Sequence, residues 1–489
     1  MTDQQRLDSI AALGNPLIHT PNFDRLVRRG ITFMNAYSSC PVCVPARYNI
    51  RTGCEPPRMG VFRNDGQDRL VEGQPADMEE RCGPFLARRM GQLGYRTFGI
   101  GKFHGFHPNL GFETFFRAEE MWGTKEARAA DAFAQFIANQ HPAFDYIEQL
   151  HGERTEMYYM PQTSPLPAEI TYEAWAAKCA AAQVAADDGR PFFGFVSFIG
   201  PHPPFAPPIP FNRMYDPDRM PNPVVGDIGT DLMDEQIVWM NYAIWGDDIE
   251  AARARSLRAR YSGEVTYIDQ CLGRILDAVE RRADADSTVI CFFTDHGDML
   301  GDHHAWQKEC YFEASCHIPF LVSWPARLPA DERRHELVAL TDLFGIATTA
   351  AGAPELRDGA NLIGMVEGRC APREAYVGIY EIPGTPLFKC MVRCREWKYI
   401  FMANGGREQL FDLDEDPSEL RNRVAEAPQV AQELRGIAIG HLSVPNADRA
   451  LEDGRLRAFG YQARPLTRIY QMEGSRGAYG FPQRPEDVL

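Results

Sequence analysis

Long hydrophobic runs are absent from this sequence. The longest covers residues 192–199, which is far too short to cross a bilayer and predicts a buried strand. Positive charge is also in short supply, because 51 Lys and Arg stand against 67 Asp and Glu, a net charge of -16. We therefore expect no membrane segment and no nucleic-acid partner, and an anionic substrate would need a local cluster of positive charge.

The sequence also lacks a visible secretory signal after Met1, and its twelve cysteines show no spacing of a disulfide framework. We therefore expect reduced, mostly buried thiols in a cytoplasmic protein, with the reservation that a segment upstream of Met1 would hide an export signal. Cys40 and Cys43 form a C-x-x-C pair, but no second pair with ligand spacing follows. This absence disfavours a structural zinc site.

The length of 489 residues exceeds one simple core, so we predict two parts. A catalytic domain is predicted over residues 1–370 and a C-terminal subdomain over residues 371–489. In the second part, strand-like segments at 374–380, 388–393 and 398–402 precede a helix at 418–434, which predicts a small antiparallel sheet with a packed helix. The tail from Asp453 onward has no clear periodicity and would pack on the surface of the same chain or of a neighbouring subunit. The sequence is therefore compatible with a monomer or an oligomer.

Helices and strands alternate along the first part. We predict helices at residues 21–29, 84–93, 169–186 and 263–281, followed by strands at 30–37, 96–100, 192–199 and 287–293. Repeated helix-then-strand units indicate a parallel α/β sheet that is covered on both faces.

Ionisable side chains follow three of these strands. Lys102 and His104 come after the second strand, His202 after the third, and Asp295 and His296 after the fourth. Because the carboxyl ends of parallel strands meet at one edge of a sheet, we expect these residues to share a site.

The segment 39–53 predicts a short helix that begins at Cys43, with Pro45 in its first turn and Gly53 at its exit. This places the Cys43 sulfur at the positive end of a helix dipole and one turn from the Arg47 guanidinium, a position that attracts oxyanions. A helix start with an inert buried thiol is the alternative.

The sequence C-x-P-x-R followed by Thr-Gly resembles the signature of type I, formylglycine-dependent sulfatases of the alkaline-phosphatase-like superfamily and of the related phosphonate monoester hydrolases. Gly-Lys-x-His at 101–104, Pro-His-x-Pro-Phe at 201–205 and Thr-Asp-His-Gly at 294–297 resemble their active-site segments. Lys308, Asp3 with Gln4, and Asn64 fit further family positions, and residues 410–420 resemble the C-terminal signature. The resemblance thus runs to about residue 420.

The resemblance implies a fold and an activity. The fold would be a large, mostly parallel sheet flanked by helices, with a small C-terminal α+β subdomain. A formylglycine-generating or anaerobic maturation enzyme would oxidise Cys43, and the product would hydrolyse a small-molecule or sugar sulfate ester. A hydrated aldehyde suits this reaction, because one hydroxyl attacks sulfur and loss of a proton from the other expels sulfate and restores the carbonyl.

The resemblance also implies roles for individual residues. Asp295 would help to activate the attacking hydroxyl, and His104 would assist breakdown of the sulfated intermediate. The remaining catalytic positions divide into donors to the leaving group, His202 and Lys308, and groups that hold the nucleophile and sulfate oxygens, Arg47 and Lys102. Asn64 would contact substrate. One divalent metal would be held by Asp3, Gln4, Asp295 and His296, with calcium as the first expectation and manganese as the second.

Three departures from the family pattern keep alternatives open. Family members begin with an apolar strand ahead of the first metal aspartate, whereas Asp3 here lies at the chain terminus, so we expect it to fray and the metal to bind weakly if that strand is absent. Gln4, His296 and Asn64 favour a phosphonate monoester hydrolase or phosphodiesterase, while Lys102 and His104 favour a sulfatase. Ala46 replaces the common serine, which leaves a noncatalytic binding protein with unconverted Cys43 as a third hypothesis.

Overall fold

The structure of the protein is a computed structural model that describes residues 1–64, 78–105, 107, 110–120, 125–145, 159–226, 234 and 249–463. The α-helices in these ranges are α1 Pro21–Arg29, α2 Cys43–Thr52, α3 Pro56–Met59, α4 Met78–Cys82, α5 Leu86–Gln92, α6 Lys125–Ala130, α7 Ala132–Gln140, α8 Tyr172–Ala185, α9 Ala251–Glu280, α10 Glu313–Cys316, α11 Asp342–Ala350, α12 Leu362–Val366 and α13 Pro428–Leu442. The strands are β1 Ile31–Tyr37, β2 Arg96–Gly101, β3 Thr114–Arg117, β4 Phe192–Ser197, β5 Ile290–Phe293, β6 Phe320–Ser323, β7 Glu332–Ala339, β8 Ala375–Tyr380, β9 Lys389–Cys394, β10 Trp397–Met402, β11 Arg407–Asp412, β12 Leu451–Glu452 and β13 Arg455–Leu456.

Two sheets form the first part of the chain. In one, β3, β2 and β4 lie side by side and are parallel. In the other, the order is β5-β6-β1-β7; β1 is parallel to β7, and β6 is antiparallel to both of its neighbours. Pairing is therefore mostly parallel, with helices packed on the sheets, as the alternation of helices and strands predicted. The antiparallel β6 was not expected.

The first three residues join these two sheets. Thr2 donates its backbone N–H to Phe293 O at the end of β5, while Met1 O accepts from Phe198 N just beyond β4. Asp3 N then donates to Gly200 O, and the Asp3 side chain is fully buried. The expectation that Asp3 frays was therefore wrong, because strand-like hydrogen bonds to both sheets hold the segment in place.

A four-stranded antiparallel sheet, in the order β11-β10-β9-β8, follows in the C-terminal part. One face packs on α13 through Leu434 and Leu442, and the edge strand β8 contacts the segment before α2, where Ile379 N donates to Ser39 O. The small sheet therefore supports the chain that leads to Cys43. Most of the predicted tail, residues 464–489, lies outside the described residues.

The sequence-based boundaries hold for most elements but fail for two helices. The helix expected at 263–281 begins earlier, at Ala251. The helix expected at 418–434 is in fact α13, whose first residue is Pro428, because a series of turns after β11 occupies the intervening chain. The strand β11 had not been predicted. Within the described residues, no helix combines the length and the apolar character that crossing a membrane requires.

Gly101 is a position at which a mutation can test the packing at the edge of the sheet where β2 ends. Its φ is +102°, and a Cβ atom there would lie 2.0 Å from Ser197 O of the adjacent strand. Gly94 has a similar φ of +89° but open space around the Cβ position, so it serves as a matched control. We expect Gly94→Ala to lower the free energy of unfolding by about 1 kcal/mol, from backbone strain alone. Gly101→Ala should lower it by about 3 kcal/mol, because a backbone oxygen must also move.

Chemical denaturation of both variants measures these differences. Equal losses in the two variants would contradict the close approach of β2 to β4.

Candidate active site

Cys43 lies at the first residue of α2, as predicted, and its side chain is fully buried. Asn64 Oδ1 accepts a hydrogen bond of 2.8 Å from Val44 N, one of the backbone donors that the start of a helix leaves unsatisfied. Gly53 ends the helix with a positive φ of 66°. The sequence pattern therefore produced the expected helix, and Asn64 caps its first turn from a distant loop.

Four side chains converge on one point beside this helix. Ligand atoms of Asp3, Cys43, Asp295 and His296 all lie within 4.8 Å of one another, and each residue is buried. Cys43 Sγ lies 3.2 Å from His296 Nε2 and 3.8 Å from Asp3 Oδ1. His296 Nδ1 lies 3.0 Å from Gly297 O, which directs Nε2 toward the group.

The group has the composition of a metal site. Two carboxylates and one imidazole suit a divalent cation, and an oxygen in place of the Cys43 sulfur would make the site harder in character. Gln4 adjoins the group, with its backbone N–H 3.3 Å from Asp295 Oδ1. Its side-chain oxygen accepts a 2.7 Å hydrogen bond from Lys308 Nζ, and its amide nitrogen donates to Asp298.

Arg47 is the cation at the centre of the site. Its Nη2 lies 2.7 Å from Asp3 Oδ2 and its Nε 3.0 Å from Asp295 Oδ2, while Nη1 donates to Lys102 O and Ser197 Oγ. Burial alone would lower the pKa of this guanidinium, but Asp295 and Asp3 hold it above its ordinary value. A charged arginine is therefore fixed between two carboxylates that would otherwise repel each other.

Lys102 follows β2 directly and is fully buried. Its ammonium lies 2.7 Å from Asp3 Oδ2 and 2.6 Å from Glu120 Oε2. Burial lowers the pKa of Lys102, but these two carboxylates outweigh it and keep the pKa above its ordinary value. Glu120 was not among the residues singled out from the sequence.

Glu119 was missed as well. Its carboxylate accepts the backbone N–H of His104, at 3.0 and 3.1 Å, and pairs with Arg117. Both glutamates follow β3, a four-residue strand whose sequence Thr-Phe-Phe-Arg was not recognised as a strand. The rule that charged residues after strand ends share a site would have found them had β3 been assigned.

His104 lies beside Cys43 with an unusual backbone, since its φ is +44°. Its side chain approaches the Cys43 thiol, and its buried Nδ1 has no hydrogen-bond partner among the described residues. A left-handed conformation is costly for a non-glycine residue, and it often marks a functional position. The two bonds from Glu119 to its backbone N–H help to hold it.

The Cys43 thiol lies in a strongly positive environment. Burial raises its pKa, but Lys308, Lys102 and His296 outweigh burial and place the pKa well below the ordinary value. The same fixed positive charges would stabilise an oxyanion at this position.

His202 and Lys308 form a pair on the other side of the nucleophile. Lys308 Nζ lies 3.1 Å from His202 Nε2, and His202 Nδ1 lies 2.7 Å from Pro203 O. Burial, followed by the charge of Lys308, lowers the pKa of His202 to about 3. The imidazole is thus neutral, with its proton on Nδ1, and the proton-bearing group of the pair is Lys308.

All eleven residues selected from the sequence lie in or beside this site. The ligand group contains Asp3, Cys43, Asp295 and His296, and the surrounding contacts come from Gln4, Arg47, Asn64, Lys102, His104, His202 and Lys308. Their arrangement, with a nucleophile position surrounded by cations and a metal-ligand group, suits attack on an anionic ester. The fold and this site define the alkaline-phosphatase-like class.

Comparison with known proteins agrees with this class. The sulfatase family model matches residues 1–353, and the model of the C-terminal part of N-sulphoglucosamine sulphohydrolase matches residues 301–437. The chain therefore belongs to the sulfatase family, whose members are sulfuric ester hydrolases.

Among curated proteins, an arylsulfatase of Clostridium perfringens is 26% identical, over 96% of this chain and 98% of that protein. A choline-sulfatase of Rhizobium meliloti is 29% identical, over 90% and 85% of the two chains. Among solved structures, the phosphonate monoester hydrolase of Agrobacterium radiobacter superposes with a TM-score of 0.71 at 24% identity, covering 92% of this chain and 94% of that one. This structural likeness supports the fold.

The neutral state of His202 predicts a pH dependence of stability. A histidine in the unfolded chain takes up a proton near its ordinary pKa of 6.5, whereas folded His202 does so only near 3. The contribution of His202 to the free energy of unfolding is therefore complete above pH 6.5 and is lost as the pH falls from 6.5 toward 3. Between pH 7 and pH 5, we expect the free energy of unfolding of the wild type to fall by about 2 kcal/mol because of this residue. The fall in His202→Gln should be smaller by that amount.

Denaturant unfolding at several pH values measures the effect, and His335→Gln, which removes an exposed histidine, is the control. Parallel pH profiles for wild type and His202→Gln would show that His202 is not held neutral.

Proposed function

We propose that this chain is a sulfatase that hydrolyses a sulfate monoester with a formylglycine hydrate derived from Cys43 and one divalent metal. The products are sulfate and an alcohol. The observation that carries the proposal is the position of Cys43, which lies at a helix start, within 3.8 Å of Asp3 and His296, and in the field of Lys102 and Lys308. A group at this position that attacks sulfur would find its developing negative charge already compensated.

The metal in this proposal is held by Asp3, Asp295, His296 and an oxygen of the converted residue 43, with Gln4 adjoining. Calcium is the first choice and manganese the second, because most of these donors are oxygens and one is an imidazole. When bound, the cation neutralises charge on the sulfate oxygens and on the nucleophile. The converted residue supplies two hydroxyls, one to attack sulfur and one to expel sulfate.

The contacts of each cation with the protein indicate the role that it would have in the reaction. Arg47 is engaged with Asp3, Asp295 and backbone, so it acts by fixing the ligand carboxylates. Lys102, whose ammonium contacts Asp3 and Glu120, holds sulfate oxygens. Lys308 carries the proton for the leaving group, and His202 Nε2 orients the ammonium.

His104 and Asp295 complete the assignment. The His104 side chain approaches the residue 43 side chain, which supports the role of accepting a proton when the sulfated intermediate breaks down. Asp295 lies in the ligand group and assists ionisation of the attacking hydroxyl. The carbonyl oxygen of Asn64 is engaged in helix capping, so any substrate contact would come from its amide NH₂ group.

The substrate class is a small-molecule or sugar sulfate ester. The names of the relatives, an arylsulfatase and a choline-sulfatase, support small esters. A phosphonate monoester hydrolase or phosphodiesterase that uses the same nucleophile is the second candidate, because His296 lies in the ligand group and Gln4 beside it, as the resemblance to those enzymes requires. A binding protein with unconverted Cys43 is the third.

The first experiment measures the conversion of Cys43. Because the residue is fully buried, the protein is co-expressed with a formylglycine-generating enzyme rather than treated after folding. We expect the peptide that contains residue 43 to lose the mass difference between CH₂SH and CHO. Elemental analysis of the same preparation should find calcium. Cys43→Ala is the control, and its peptide should keep its calculated mass.

An unchanged thiol peptide under these conditions would contradict the sulfatase proposal and favour a binding protein. Zinc in pairs would favour a two-metal phosphatase instead.

A second experiment separates the two enzymatic candidates. We expect kcat/KM of the converted protein to be higher for an aryl sulfate than for an aryl phosphonate monoester with the same leaving group at one pH. The reason is that Lys102 and His104 follow the sulfatase pattern on the side that contacts the transferred group. Cys43→Ala, which lacks the nucleophile, sets the background rate. A preference for the phosphonate ester would reverse the assignment.

A further inference from the structure

Glu120 introduces a third carboxylate into the site. Its side chain is 9% exposed, and its Oε2 lies 2.6 Å from Lys102 Nζ and 3.7 Å from His202 Nδ1. Glu120 and Asp3 therefore share the ammonium of Lys102. Neither the sequence resemblance nor the ligand group assigns it a role.

The backbone around Glu120 is well anchored. Ala118 N donates to Gly101 O, and Tyr172 OH donates to Ala118 O at 3.1 Å. Glu119 N donates to Asp131 Oδ2 at 2.7 Å. The carboxylate of Glu120 is thus presented from a fixed segment, and its ion pair with Lys102 favours its charged form.

The charges of the site nearly balance. Arg47 and Lys102 contact the carboxylates of Asp3, Asp295 and Glu120, and Lys308, which contacts His202, adds a third cation to the three carboxylates. A divalent cation on the ligand group leaves a surplus of two positive charges. An ionised nucleophile and a monoanionic ester would use that surplus completely, whereas a dianionic ester would exceed it by one negative charge.

We propose that Glu120 is a charge-selecting residue, which favours monoanionic esters such as sulfate monoesters over dianionic esters such as phosphate monoesters. This inference rests on the proposed function, because it places the transferred group at Lys102. An oxygen that accepts a hydrogen bond from Lys102 Nζ would lie within about 5 Å of the Glu120 carboxylate. At that distance, one additional unit of negative charge lowers affinity about a hundredfold at an effective dielectric constant near 20, and relaxation and salt reduce this to about tenfold.

Binding to the unreactive Cys43→Ala protein is the first test. Affinities are measured by calorimetry with calcium present, for phenyl sulfate, a monoanion, and for phenyl phosphate at a pH where it is a dianion. Because Cys43→Ala lacks the ionised nucleophile, the informative quantity is the change in the ratio of the two affinities when Glu120 is altered. Adding Glu120→Gln should shift the affinity ratio toward phenyl phosphate by about tenfold. Adding Glu120→Asp, which keeps the charge, should leave the ratio close to its starting value.

A matched control removes a carboxylate outside the site. Glu113 comes just before β3, the strand that Glu120 follows, but Glu113 is exposed and pairs with Arg190. Glu113→Gln should not change the ratio.

Phenylphosphonate monoesters give a further comparison, because they are monoanions like sulfate esters. The kcat/KM ratio of phosphonate to sulfate in the converted enzyme should therefore be the same with and without Glu120→Gln, while the ratio of phosphate to sulfate rises.

The outcomes separate this inference from the proposed function. An unchanged phosphate-to-sulfate ratio in Glu120→Gln, or an equal shift in Glu120→Asp, would overturn charge selection by Glu120. Converted enzyme that hydrolyses neither ester would contradict the proposed function alone, since the binding ratios are measured without turnover.

Discussion

The Arg47 guanidinium is the interaction on which the site depends. It contacts Asp3 on the first segment of the chain, Asp295 after β5, the backbone at Lys102 after β2 and Ser197 at the end of β4. Without a cation between them, two buried carboxylates would repel each other strongly. Because Cys43 and Arg47 are one helical turn apart, α2 positions the nucleophile and balances the charge of the ligand group with the same few residues.

This arrangement explains why the sequence was informative about the site. Lys102, His202 and Asp295 are far apart along the chain, but each follows a strand, and parallel or bridged strands bring their carboxyl ends to one edge. The apolar, periodic segments that specify those strands are long enough to recognise. The elements that carry the chemistry were therefore the easiest to predict.

The features that were missed depend on contacts between distant segments. Burial of Asp3 comes from hydrogen bonds to the ends of β4 and β5, which no local pattern indicates. The capping of α2 by Asn64 joins the helix to a distant loop, a contact that no local pattern indicates. The start of α13 was misplaced because the polar residues after β11 have helical composition, whereas Asp412 and Asp416 accept backbone hydrogen bonds there and form turns. Glu119 and Glu120 follow β3, whose sequence Thr-Phe-Phe-Arg lacks the apolar run that identified the equally short β5.

The pairing of charges makes the electrostatic potential of the pocket uneven, although the protein as a whole carries a net charge of -16. Arg47 and Lys102 are each held by two carboxylates, whereas the described polar contacts of Lys308 are the neutral Gln4 amide and the neutral His202 imidazole. Positive potential is therefore compensated on the metal and Lys102 side, and it is strongest near Lys308. In the proposed function, the ammonium of Lys308 is therefore the cation available for negative charge that develops on the leaving oxygen, while a bound metal would supply positive charge for the transferred group. The assignment of the leaving-group side thus follows from which cations the protein has already neutralised.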